Sequence, residues 1–324
     1  MTLSTTPRLL LAAALVVCSP CDAQRQMSID TVVAGVASED TKLIDAVKKG
    51  LELYYYSVDY QNPTFVDRTT GHPDFTRARK TEIMEWHSMT VCHIVLKDPF
   101  YWISELLTLR SYRDDTFHAS HLIRWYDGAA TKFLNNITDQ AESVQGRSVE
   151  EHDTSLLGPF VVCASCPNTS FVGYPSIHSP LLSDSLRCLQ NLAVIGREKV
   201  DDLECIIVKG RKGEGPEAPT YTFALSPDTG WRPIRATVLS PPFWETVKRA
   251  QYQKHGDLWM VKNIVEEHFY CPPGSEGKVL LVVRTREIAK CRIGAVDERL
   301  FRQDLPKSAF LPPRTDKRRP EEER

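Results

Sequence analysis

Apolar positions recur along this chain with two different periods. From Ser38 to Tyr55, Leu43, Ile44, Val47, Leu51 and Tyr54 fall on one face at helical spacing. Ser38 or Asp40 can cap that helix, and acidic residues occupy its first turn. An amphipathic helix laid on an apolar surface is therefore expected over 38–55. The next stretch, Asp59 to Lys80, has two prolines and a glycine and reads as an irregular connection.

From about Lys80 the period becomes that of a strand. Met89 to Leu96 is β-branched and apolar. From Phe100 to Tyr112, Tyr101, Ile103, Leu107 and Leu109 alternate with Ser104, Thr108 and Arg110. Asp98-Pro99 would also open a helix, so both readings stand there, with the strand preferred. Asp127-Gly128, between two β-rich runs, signals a hairpin.

The segment 138–191 is more polar and reads as an irregular or helical insert, with a short helix between Pro180 and Leu189. Strands resume at Leu192. Val200-Asp201-Asp202, Pro227 to Gly230 and His255-Gly256-Asp257 are turns too short for parallel returns, so successive strands are antiparallel neighbours. In the strand 258–270, one side would carry Trp259, Val261, Val265 and Phe269. The other would carry Leu258, Met260, Ile264 and Tyr270, interleaved with Lys262, Glu266 and His268. A sheet this long cannot stay flat. The fold class expected is α+β: a long antiparallel sheet curled into an unclosed half-barrel, covered by an N-terminal helix and the inserted segment.

The ends change where this domain is placed. Arg8 followed by an apolar run from Leu9 to Val17, with Ala23 before Gln24, reads as a signal peptide over 1–23. A lipid anchor on Cys18 or Cys21 is the weaker alternative, because bulky Val17 precedes Cys18. The run is too short to span a bilayer, and no later stretch would. The mature chain is thus expected to be exported, to the periplasm or beyond, as one domain over 24–300. A C-terminal extension follows over 301–324, with a disordered tail from about 312. Charge excludes one class of partner. With 40 basic and 42 acidic residues among 324, there is no basic excess for nucleic acid.

Export also changes how cysteines read. Nine are present, and two leave with the signal peptide, so an odd number remains. Cys163 and Cys166 form a CxxC followed by a loop, without the βαβ setting of a redox site. Cys163, Cys166 and Cys188 are the disulfide candidates. Cys271 and Cys291 would sit at opposite ends of a hairpin, beyond bridging distance.

Four phrases carry a resemblance: Gly196 to Val208, Tyr221 to Val238, His255 to Tyr270 and Leu300 to Asp316. Gly196, Glu198, Val200, Cys205, Asp228, Gly230, Pro233, Arg235 and Trp259 match turn and strand signatures. On these the chain resembles the LolA/LolB/LppX-like lipoprotein-carrier superfamily, especially its uncharacterised exported bacterial members. The resemblance implies an unclosed barrel under helices with an apolar cavity for acyl chains. Asp202 departs from it, standing where glycine is usual, and so does the long insert.

Candidate chemistry adds little. His118 and His121 form an HxxH, which gathers a metal on a helix but not on a strand. No nucleophile elbow, zincin, P-loop or Rossmann glycine pattern occurs in a usable setting. The expectation is a non-enzymatic protein without metal or cofactor, a monomer that binds a lipid, a lipoprotein acyl chain or another apolar ligand in the concave face. Trp102, Leu107, Trp125, Trp259 and Val261 would line that cavity. An envelope protein is a possible further partner. The alternative reading is a periplasmic scaffold or interaction module with a filled core.

Overall fold

The structure is a computed structural model that describes residues 27–97, 100–127, 130–135, 140–145, 181–272 and 277–302. The expected signal peptide, the pair Cys163 and Cys166, and the C-terminal tail lie outside these residues.

Helix α1 spans Ile29–Lys49 and strand β1 spans Leu51–Gln61. The helix thus begins nine residues before Ser38, and its expected last turn is a strand. Ser28 is the true N-cap, its side chain accepting the Thr31 N–H at 3.2 Å. Gly50, at φ 112°, ends the helix, donating its N–H to Ala46 and Val47. Leu51 and Tyr54 fit both periods, but the aromatic, alternating run beyond Gly50 favours a strand.

Twelve further strands follow. They are β2 (Glu85–Lys97), β3 (Phe100–Ser111), β4 (Thr116–Tyr126), β5 (Ala130–Asn135) and β6 (Gln140–Gln145), then β7 (Gln190–Val200) and β8 (Leu203–Arg211). The last are β9 (Thr220–Ser226), β10 (Arg232–Ser240), β11 (Trp244–His255), β12 (Leu258–Tyr270) and β13 (Val279–Ile293). The insert therefore contains a strand, β6, as well as the short helix α2 (Leu182–Arg187) where one was expected. Phe100–Ser111 is a strand, and β4 and β5 form the expected hairpin.

All thirteen strands form one sheet in the order β6-β5-β4-β3-β2-β1-β13-β12-β11-β10-β9-β8-β7. Every neighbouring pair is antiparallel. The last strand pairs with the first, joining two meanders. Among the described residues β6 and β7 have no further strand partner, and the sheet is not closed into a barrel. Flat, it would be roughly 58 Å wide at about 4.8 Å per strand; it curls instead, as twist requires. The β7–β8 turn explains Asp202: Asp201 and Asp202 take φ 47° and 65°, the left-handed pair of a two-residue hairpin that Asp tolerates.

Helix α1 lies in the concave face. Val32, Val36, Leu43 and Val47 join one core cluster with side chains from β1, β2, β3 and β8 to β13. The segment 62–84 closes the other end of the same face. Fully buried Asn62 donates to the Leu280 and Arg79 carbonyls at 2.8 and 2.9 Å, and its Oδ1 accepts the Thr64 N–H. Phe65 and Phe75 then pack beside Trp244, Tyr270 and Leu281 in a second cluster.

Candidate functional site

Side-chain alternation and strand register together map the concave face row by row. Near α1 the rows are apolar: Leu51, Leu53 and Tyr55 of β1 face Leu96, Ile94 and Cys92 of β2. Two residues further along β1 the chemistry changes. Ser57, Asp59 and Gln61 continue the same inward face, and all are buried.

Asp59 belongs to a ladder of alternating charge. Lys248 of β11 stands directly opposite Glu266 of β12, Glu266 opposite Arg284 of β13, and Arg284 opposite Asp59 of β1. Each stands next to an opposite sign, as cross-strand pairing favours. Arg284 donates to both Asp59 oxygens, Nε to Oδ1 at 2.8 Å and Nη2 to Oδ2 at 2.7 Å. Lys248 Nζ lies 3.4 Å from Glu266 Oε1. Burial alone would push the Glu266 carboxyl up, but Lys248, His268 and Arg284 together hold it well below the usual carboxylate range. Burial likewise opposes the Arg284 charge, and Asp59 more than offsets it.

A hydroxyl, an imidazole and a carboxylate also stand in line here. Thr246 Oγ1 is 3.2 Å from His268 Nδ1, and His268 Nε2 is 2.9 Å from Glu266 Oε1. The order resembles a nucleophile–base–acid relay. An acyl-transfer site also needs N–H donors for an oxyanion. Thr246, Glu266 and His268 are each paired with neighbouring strands on both sides, where backbone groups are engaged in the ladder. Neighbouring His87 is the extra residue of a β-bulge, since Asp59 pairs with Ser88 and Tyr60 with Trp86. Its ring stacks on Tyr112 at 5.4 Å, and burial lowers its pKa while Asp59 opposes that shift.

The lid over the apolar rows is held by one buried ion pair. Arg232, at the start of β10, donates Nη1 to Asp40 Oδ1 of α1 at 2.8 Å and Nη2 to the Glu39 carbonyl at 3.2 Å. The other Asp40 oxygen accepts the Ser183 N–H of α2 at 2.9 Å. One carboxylate thus ties α1, α2 and the sheet together.

The five residues expected to line an apolar cavity are not brought together. Trp102 and Trp125 pair with each other across β3 and β4 on the convex face, where they cluster with Ile123. Their strand neighbours Tyr101 and Ile103 are the ones that reach the main core. Leu107 is concave and half-buried, in the row of Thr90 and Ser120. Val261 joins the main core, and Trp259 lies against Gly230 near Glu39. The expected faces of β12 also need correction. Gln251 pairs with Asn263 and Tyr252 with Val261, so Lys262 is a bulge residue. The alternation slips there, and Val261 shares the core with Leu258, Met260 and Ile264.

The other sequence candidates are dispersed. His118 and His121 sit in strand β4, where three-residue spacing puts them on opposite faces. His118 hydrogen-bonds Thr116, and His121 hydrogen-bonds Ser104. No group of three metal-ligating side chains occurs among the described residues. Cys188 is exposed and bonded to no described cysteine, and Cys271 and Cys291 are free.

The convex face carries a different feature. Tyr56, Val91 and Leu106 stand in one cross-strand row of β1, β2 and β3, and are 37%, 43% and 43% exposed. Met89, one row away on β2, is exposed as well.

No protein-family model and no curated protein matches the sequence. Solved structures do match the fold. A DUF1329 family protein from Desulfovibrio piger aligns with TM-score 0.40 and 9% identity over 84% of this chain and 96% of its own. A LolA superfamily protein from Nitrosomonas europaea gives 0.38 and 6% identity over 86% and 99%. The lipoprotein LppX of Mycobacterium tuberculosis gives 0.28 and 13% over 83% and 99%. At these identities the likeness is one of fold alone. No helix among the described residues is long and apolar enough to cross a membrane.

Proposed function

We propose that this is an exported, non-catalytic protein that holds an apolar ligand, a lipid or an acyl chain, between α1 and the concave face of the sheet. One observation carries the reading. The apolar half of that face is roofed by the amphipathic helix α1 with the short α2 beside it, joined to the sheet by the Arg232–Asp40 ion pair, in a sheet whose edges β6 and β7 have no strand partner among the described residues. Tilting α1 away would expose a lined trough without breaking the sheet.

Non-catalysis is supported by the mutual pairing of the charge ladder around Thr246 and His268. Glu266 is shared between Lys248 and His268, and Arg284 is spent on Asp59. The test is native mass spectrometry of the mature protein purified from the envelope of its producing cell. A bound apolar species of defined mass is expected. A folded protein that carries none, and that takes up no fluorescent fatty acid, would overturn the reading. Ester hydrolysis abolished by His268→Gln would overturn its non-catalytic part.

The exposed convex row favours a second reading, an interaction module. Contiguous apolar surface of this kind marks protein contacts. Retention of an envelope partner by the wild type but not by Val91→Lys would favour it.

A further inference from the structure

The row between the apolar zone and the charge ladder contains a guanidinium with no counter-ion among the described residues. Arg286 lies two residues beyond Arg284 on the same face of β13, directly opposite Ile264 of β12 and Ser57 of β1. Ser57 in turn faces Thr90 of β2, and Thr90 faces Leu107 of β3. Arg286 makes no hydrogen bond or ion pair with any described residue, and neither do the hydroxyls of Ser57 and Thr90. Every other cation of the belt has a carboxylate: Lys248 has Glu266 and Arg284 has Asp59.

The surroundings of Arg286 have a direction. On the α1 side stand Ile288, Tyr55 and Ile264, all buried in the main core. Toward β4, Thr90, Leu107 and Ser120 are half-exposed, so the row opens to solvent there. The nearest further acid on this face is Glu105, buried on β3, which has a partner of its own. It adds to the upward push of burial on the Tyr55 phenol, which Arg286 opposes. The row therefore offers one positive charge and two hydroxyls at the border of an apolar zone.

We infer that Arg286, with Ser57 and Thr90, binds the anionic oxygen of an amphiphile, a carboxylate or a phosphate, whose chain enters the apolar zone under α1. A half-buried guanidinium without a counter-ion favours an incoming anion, because charge-assisted hydrogen bonds are stronger where water is scarce. The site distinguishes amphiphiles by head group, and it rests on the apolar-ligand reading above.

The test compares three single-chain ligands of equal length below their micellar concentrations: palmitate, palmitoyl lysophosphatidate and uncharged monopalmitoylglycerol. Affinity is read by displacement of a neutral naphthylamine probe from the mature protein. At least one anionic ligand should bind about tenfold or more tightly than the neutral one. Whichever anion is favoured identifies a carboxylate or a phosphate head. Arg286→Gln should erase the preference while leaving the neutral ligand unaffected, and Arg286→Lys should restore part of it. Equal affinity for all three ligands, with Arg286→Gln silent, would overturn this assignment but leave the apolar-ligand reading intact. Failure to bind any ligand or the probe itself, in protein that unfolds cooperatively, would overturn both.

Discussion

Arg284 grips both carboxylate oxygens of Asp59, 225 residues away in sequence, across the seam where the last strand meets the first. Both side chains are about 11% exposed. A buried pair of this kind is weak evidence for net stability, but breaking it on one side leaves a charge with neither water nor partner. Asp59→Asn should therefore cost about 3 kcal/mol or more in urea unfolding. The double variant Asp59→Leu/Arg284→Met should recover a substantial part of that loss. A double variant no more stable than the single one would show that the pair contributes more than mutual neutralisation.

The second buried pair acts on the lid. Asp40 and Arg232 are 2% and 3% exposed, and Asp40 also holds the first turn of α2. Asp40→Asn should release α1 without melting the sheet. Hydrogen exchange over 29–49 should quicken by about two orders of magnitude, as losing about 3 kcal/mol locally implies. Exchange in β8 to β10 should change little. Equal acceleration everywhere would mean that α1 is part of the cooperative core and not a separable lid.

Much of the fold was legible because strands with short turns leave few alternatives. Leu192 to Ile293 reads directly as seven antiparallel strands, and the two-aspartate turn at Asp201-Asp202 as a hairpin. The boundary of α1 was misread because Leu51 and Tyr54 satisfy both periods, so the deciding residue is Gly50. The charge ladder left no local signature. Asp59, Lys248, Glu266 and Arg284 are single polar residues in four separate strands. Only register sets them side by side, and register depends on bulges such as those at His87 and Lys262. The bulge at Lys262 brings Val261 to the core, whereas plain alternation beside Tyr101 and Ile103 puts Trp102, and its partner Trp125, on the convex face.

Gly35 decides how closely α1 approaches the sheet. A Cβ at this position would fall inside van der Waals contact with the Trp231 indole. On an open helix face Gly→Ala would stabilise by up to about 1 kcal/mol. Here the indole has to move, so Gly35→Ala should instead destabilise by about 1–3 kcal/mol, the usual cost of overpacking. Thermal unfolding gives the sign, and a shift in tryptophan emission would locate the change at Trp231. A stabilised variant with unchanged emission would mean that the lid rides freely over the indole.

Acid should destabilise the protein in two separate windows. Burial lowers the pKa of His87, and it also lowers those of His93 and His121 on β2 and β4, so each is more acidic folded than unfolded. Between the folded value and about 6.5 the unfolded chain binds more protons than the native one, and stability falls as pH drops. Glu266 has its folded pKa depressed by Lys248, His268 and Arg284 against the effect of burial. Its contribution is fully present above the ordinary glutamate value and is lost only as pH falls below about 4.5. A plot of urea midpoint against pH should be level near neutrality, decline below about 6.5 and steepen again below about 4.5. His87→Asn should make the first decline shallower and leave the second, whereas Glu266→Gln should flatten the second and leave the first, on a lower baseline. A midpoint constant from pH 7 to 5 would show that the three imidazoles are protonated in the folded sheet without penalty.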